Sequence, residues 1–191
     1  MGQAGYESKE YERLVKRGFK PYSRGHRMMY EHAIDAIKKT ADPANIFEAG
    51  FGIGWGLDRM LEEGVVDVYV GCEPNADSFK YTRDRLGLNP RVTLYPKAFD
   101  YSFESPDGEK PFDEAFCIEV IEHVPLNDQL AFLEGLRALA PRLWLSTPDK
   151  DRVPSEGVRT MKEWVALIKE AGFESVEVNM AHWTYLYECR A

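Results

Sequence analysis

The stretch that most constrains this chain is Ile46-Phe47-Glu48-Ala49-Gly50-Phe51-Gly52-Ile53-Gly54-Trp55-Gly56. Apolar residues lead into an acid and four alternating glycines, and Leu57, Met60 and Leu61 then recur at helical spacing up to Gly64. The pattern predicts strand, tight turn, helix. Glycine tolerates positive φ and carries no Cβ, so a ligand can lie directly against the main chain at the helix N-terminus. The turn therefore predicts a cofactor site; the plainer reading is a glycine-rich turn between packed elements. The dinucleotide fingerprint G-x-G-x-x-G fails in every register, because the third glycine would have to stand where Trp55, Leu57 or Arg59 does.

Further elements follow from periodicity. Val65 to Cys72 alternates as a second strand ending at Glu73, whose carboxylate can accept from two neighbouring ribose hydroxyls. Asn75 is placed to cap the next helix, which Gly87 closes, and Arg91 to Tyr95 reads as a third strand. Phe112 to Ile118 leads into Glu119-Val120-Ile121-Glu122-His123-Val124-Pro125, and leucines at 126, 130, 133, 136 and 139 predict a helix beginning just after Pro125. Arg142 to Ser146 is a fifth strand, Thr160 to Glu163 is a capping box, and Ser175 to Met180 with Trp183 to Arg190 must form a hairpin. Upstream, Tyr6 to Arg17 predicts a charged helix stopped by Gly18, Pro21 to Gly25 a break, and about Arg27 to Lys39 a second helix with Met29, Tyr30, Ala33, Ile34 and Ile37 as its apolar stripe. Tyr22, Arg24 and His26 lie between the two helices, as a lid over the cofactor or as a simple interhelical loop.

The motifs E-x-G-x-G-x-G at Glu48 to Gly54, the acid Glu73, and E-V-I-E-H-V-P at 119–125 occur in an order and spacing that resembles the class I S-adenosylmethionine-dependent methyltransferases, closest to small-molecule members such as those of quinone biosynthesis. The resemblance covers about Ile46 to Arg190. It implies an α/β, Rossmann-like seven-stranded mostly parallel sheet ordered 3-2-1-4-5-7-6, strand 7 antiparallel, with helices on both faces. It further implies S-adenosyl-L-methionine as cofactor, with Glu48 near its amino-acid portion, Gly50, Gly52 and Gly54 beneath it, Glu73 at the ribose, Ala98 near the adenine and Glu119 at the methionine end. Many relatives have an acid before that alanine; here Lys97 stands there, with Asp100 as a substitute.

Methyl transfer from a sulfonium is chiefly a positioning problem, worth roughly 7 to 11 kcal/mol. For a hydroxyl or amine acceptor, His123 is the leading general base, with Glu122 beside it; the plainer readings are a histidine bonded to backbone at a helix start and a solvated loop acid. Asp149 and His26 are weaker candidates, and His182 is expected in the hairpin turn. Glu119-x-x-Glu122-His123 also resembles the metal motif of small-RNA terminal 2′-O-methyltransferases, but the loop Pro148 to Arg159 lacks the completing histidine, so no metal is expected. The N-P-P-Y type tetrapeptide of amino-methylating DNA enzymes is replaced by Ile118-Glu119-Val120-Ile121.

With 191 residues and 44% hydrophobic content, one domain is expected: residues 1–41 as an N-terminal helical extension or lid, and 42–191 as the core. The net charge of −8 argues against a general nucleic-acid surface, and the acceptor is expected to be a small molecule methylated at oxygen or nitrogen. Cys72, Cys117 and Cys189 form no C-x-x-C pair, and no run of about 18 apolar residues appears, so a cytoplasmic protein without a membrane span is expected. The shortage of substrate-covering chain leaves room for a homodimer or partner subunit, and for the alternative of a non-catalytic methyltransferase-like scaffold.

Overall fold

Alternation along the strands organises the molecule, because successive side chains leave a strand on opposite faces. In a computed structural model that describes residues 13, 16–18, 20, 23–40, 42–100, 112–150, 157–181 and 184–191, both faces of the central strands are apolar. In chain order the elements are α1 (Arg24–Ile37), β1 (Ala44–Ala49), α2 (Trp55–Glu62), β2 (Val66–Cys72), α3 (Ala76–Leu86), β3 (Val92–Tyr95), β4 (Glu114–Ile118), a 3-10 turn (Ile121–His123), α4 (Gln129–Leu139), β5 (Arg142–Pro148), α5 (Met161–Glu170), β6 (Ser175–Ala181) and β7 (Thr184–Arg190). Phe116, Ile118, Trp144 and Leu186 face α1, α2 and α3, whereas Ala115, Cys117, Leu143, Leu145 and Tyr187 face α4 and α5. Each fully buried side chain of this size contributes about 1.5 to 3 kcal/mol.

The seven strands run in the order β3-β2-β1-β4-β5-β7-β6. β7 is antiparallel to both β5 and β6, and the remaining pairings are parallel. This is the expected sheet. At its N-terminal end a buried ion network joins three strands: Arg142 reaches Glu114 at 3.1 Å and Glu188 at 2.7 Å, and Trp144 Nε1 donates to Glu114 at 2.8 Å. Removing one member would strand a buried charge, at about 3 to 5 kcal/mol.

Two helix starts differ from the sequence reading. α1 begins at Arg24 rather than Arg27, because the Ser23 side chain accepts from His26 N at 3.0 Å and caps the helix. Arg24, Gly25 and His26 are therefore its first turn, not a loop. α4 begins at Gln129 rather than just after Pro125; residues 126–128 form a turn closed by Asp128 N donating to Pro125 O at 2.8 Å. The predicted helix Tyr6 to Arg17 is described only at Arg13, Lys16 and Arg17, which are helical, and Gly18 follows with φ 73°. Tyr22, His182 and Trp183 lie outside the described residues.

Candidate functional site

The C-terminal ends of β1, β2 and β4 meet where the strand order reverses, between β1 and β4, and open sheets of this kind place their ligands at such a crevice. A cavity of about 830 Å³ lies there, lined by Gly50, Gly52, Glu73, Asn75, Glu119 and His123, and roofed by Ser23 and His26 of the α1 start. A smaller, mostly apolar cavity of about 290 Å³ adjoins it, lined by Ala98, Phe99, Val124 and Phe132 and sharing Gly50, Val120 and His123 with the first.

The glycine turn builds the floor. Gly50, Gly52 and Gly54 all have positive φ, at 77°, 54° and 72°. A Cβ at Gly50 would also run into Val120, and one at Gly54 into Thr82, so the turn packs without side chains of its own. Gly52 N donates to Glu73 Oε2 and Asn75 N donates to Glu73 Oε1, both at 2.8 Å. This clasp uses two of the roughly four acceptor positions of a carboxylate that lines the cavity. Burial raises the Glu73 pKa, opposed by the two backbone donors. The Asn75 side chain meanwhile accepts from Ser78 N at 2.9 Å and caps α3.

Across the cavity Glu119 is the one described non-glycine residue with positive φ, at 58°. That conformation costs roughly 1 to 2 kcal/mol. Its N–H donates to Ser146 O at 3.1 Å and to Ser146 Oγ at 3.0 Å, and Ser146 Oγ donates to Glu119 Oε1 at 2.9 Å. Burial raises the Glu119 pKa, opposed by the Ser146 and Thr184 hydroxyls.

Beyond it, His123 is exposed on the 3-10 turn and borders both cavities. Glu122 borders neither; burial, with the Glu119 charge beside it, pushes its carboxyl up to about 8. The Thr147 hydroxyl next to it weakly favours the charged form, but Glu122 Oε2 has no partner at hydrogen-bond geometry. Gln129, which sequence reasoning missed, fixes this loop: its Nε2 donates to Ile121 O, Val124 O and Gly157 O at 3.2, 3.1 and 2.8 Å, and Arg159 Nε donates to its Oε1 at 2.7 Å. A lone glutamine among leucines carries no sequence signal for such a role.

The larger cavity thus gathers Gly50, Gly52, Glu73, Glu119 and His123, and the smaller one takes Ala98. Glu48, Gly54 and Glu122 line neither. Glu48 is fully buried, with Tyr30 OH donating to Oε1 and Tyr69 OH donating to Oε2 at 2.6 Å. Asp100 pairs with Lys97 at 3.0 Å on the surface and borders neither cavity. Burial, with Arg17 nearby, lowers His26 to about 4, so its imidazole is neutral at pH 7. No cluster of three metal-ligating side chains occurs among the described residues.

The fold recurs in solved structures. Magnesium protoporphyrin IX methyltransferase from Synechocystis PCC 6803, determined with bound SAM, matches with a TM-score of 0.68 and 17% identity over 87% of this chain and 80% of its own. The methyltransferase domain of bacterial CtHen1 matches with a TM-score of 0.67 and 18% identity over 86% of this chain and 99% of its own. A methyltransferase from Haloferax volcanii studied in complex with the Trm112 activator matches with a TM-score of 0.67 and 12% identity over 83% and 87%. The chain has the class I methyltransferase fold. No protein-family model matches the sequence, and no curated protein does. Within this fold the glycine turn follows the first strand, the clasped acid follows the second, and the Glu119 to Pro125 loop follows the fourth. No described helix is long and apolar enough to cross a membrane.

Proposed function

We propose that this protein is an S-adenosyl-L-methionine-dependent methyltransferase acting on a small molecule, at oxygen or nitrogen. The observation that carries the reading is the clasp of Gly52 and Asn75 on Glu73 at the edge of the larger cavity. A carboxylate held by two backbone donors and still open to the cavity suits a pair of vicinal hydroxyls, as on a ribose. The residues present fit the cofactor in three further respects. The cavity lies within the usual size range for such ligands, about 300 to 1,000 Å³. Ala98, Phe99 and Val120 give an apolar slot for a flat base. Gly50 and Glu119 line the same cavity on the β1 and β4 side, where an aminoacyl group would lie.

When bound, S-adenosylmethionine supplies a methyl group that is already electrophilic. What remains for the chain is to hold an acceptor lone pair in line at attack distance and to receive the proton that an O–H or N–H acceptor loses. His123 is assigned the proton, because its imidazole borders both cavities. Glu122 keeps its own proton up to about pH 8 and is a base only above that. Glu48 is read as acting behind the turn. Three buried, free cysteines accord with a reducing compartment, and we place the protein in the cytoplasm, as a single unit in which residues 1–41 cover the site, alone or with a second subunit.

Calorimetric titration with S-adenosylmethionine, S-adenosylhomocysteine and NAD tests the cofactor. Micromolar affinity for the first two and none for NAD is expected. Equal or better binding of NAD, or no binding of any, overturns the reading. Binding without transfer across a panel of hydroxyl and amine acceptors would instead favour a non-catalytic scaffold.

A further inference from the structure

Glu48 is the acid of the glycine motif, yet its carboxylate is fully buried, borders neither cavity and meets two tyrosines. Tyr69 belongs to β2 and is part of the sheet. Tyr30 belongs to α1, the helix whose N-cap Ser23 and first-turn His26 roof the larger cavity. The Tyr30 ring lies parallel to Phe116 of β4, 6.0 Å between centroids, and its edge meets His26 at 5.0 Å and Trp55 at 6.0 Å. A Cβ on Gly56 would fall inside this ring. Gly56 is helical and needs no positive φ; it is glycine because the ring occupies its Cβ space.

We infer that Glu48 is a positioning residue rather than a cofactor ligand: through Tyr30 it latches α1 over the larger cavity, and Gly56 is the gap that seats the latch. Its consequence for cofactor affinity rests on the proposed function. Tyr30 is the one α1 side chain bonded to the acid of the turn, and His26, one helical turn earlier, is carried with it to the cavity edge. Breaking a buried hydrogen bond leaves its partner unsatisfied, and the apolar face of α1 supplies burial without fixing its rotation or height as closely.

The test is a double-mutant cycle with two readouts. Tyr30→Phe keeps the ring and its stack and removes only the hydroxyl; Glu48→Gln keeps the shape and replaces one of the two acceptor oxygens with a donor. Amide exchange over 24–37 is expected to quicken roughly tenfold in either variant while β4 amides stay protected, and S-adenosylhomocysteine affinity is expected to weaken roughly tenfold. The double variant is expected to bind no more weakly than the worse single, because both act through one contact. Additive losses would mean that Glu48 touches the cofactor directly, and unchanged exchange in α1 would mean that there is no latch; either overturns the inference. If the wild type does not bind S-adenosylhomocysteine, the cofactor reading falls and the exchange comparison alone decides the latch. Should Tyr30→Phe fail to fold, Glu48→Gln decides by the same exchange measurement.

Discussion

The ends of β1 and β2 carry one acid each, Glu48 and Glu73, and the molecule treats them in opposite ways. Glu48 is the penultimate residue of its strand, so its side chain leaves the sheet into the α1 layer and meets two phenols. Glu73 stands one residue past its strand, where the backbone turns over the sheet edge, and meets two backbone N–H groups at the cavity. Both pKa values rise because both groups are buried, and that of Glu48 reaches about 7. Burial alone therefore does not identify a ligand-binding acid; the direction in which the partners leave acceptor positions open does.

Three substitutions and one pH series would break or sharpen this contrast. The largest effect is expected from Gly56→Val, which forces the Tyr30 ring off its seat: about 3 kcal/mol or more of lost stability by urea denaturation, or failure to fold. A stability loss under 1 kcal/mol would show that the ring has another place to go.

Glu48 comes next. The native carboxyl keeps its proton to about pH 7, against about 4.5 for a free glutamate, so the native state binds more protons across that window. Wild-type stability should therefore fall as the pH rises from about 4.5 through 7, by about 3 kcal/mol from this group, and that share of the slope should be absent in Glu48→Gln. The difference between the two proteins isolates Glu48 from Glu73 and Glu119, which titrate in both. Parallel curves would refute its buried, raised state.

Gly52→Val should cost only about 1 to 2 kcal/mol of stability, since its φ of 54° strains an L residue, yet abolish S-adenosylhomocysteine binding in calorimetry. Retained affinity would remove the turn from the site. The smallest effect is expected from Asn75→Ala, about 1 kcal/mol from the lost cap of α3, with the Gly52 to Glu73 clasp intact and thermal denaturation as the measure.

Much of the fold was legible because local signals agreed with tertiary ones. The capping box at Thr160 and Glu163 is present with both of its hydrogen bonds, Asn75 caps α3, and the β6–β7 hairpin forms as its short connection requires. The start of α1 was hidden because Ser23 caps from within a stretch whose Pro21 and Gly25 read as a break. The start of α4 was misplaced because leucine spacing continues backward through Leu126, which is exposed, while Gln129 turns inward to hold two loops. The Arg142 network was invisible, because Glu114, Arg142 and Glu188 are distant in sequence and meet only in the sheet register.

By itself the sequence determined the strand, turn, helix unit at Glu48 to Gly64, the alternation that gives the sheet two apolar faces, and the order of three motifs, since periodicity and glycine chemistry act over a few residues. Tertiary structure alone decided that four glycines of one run do two jobs, three of them bending the backbone and Gly56 admitting a ring from α1. It decided likewise which acid looks into the cavity and which is closed behind it. Those outcomes depend on which face a side chain leaves and on what another element, tens of residues away, brings to meet it.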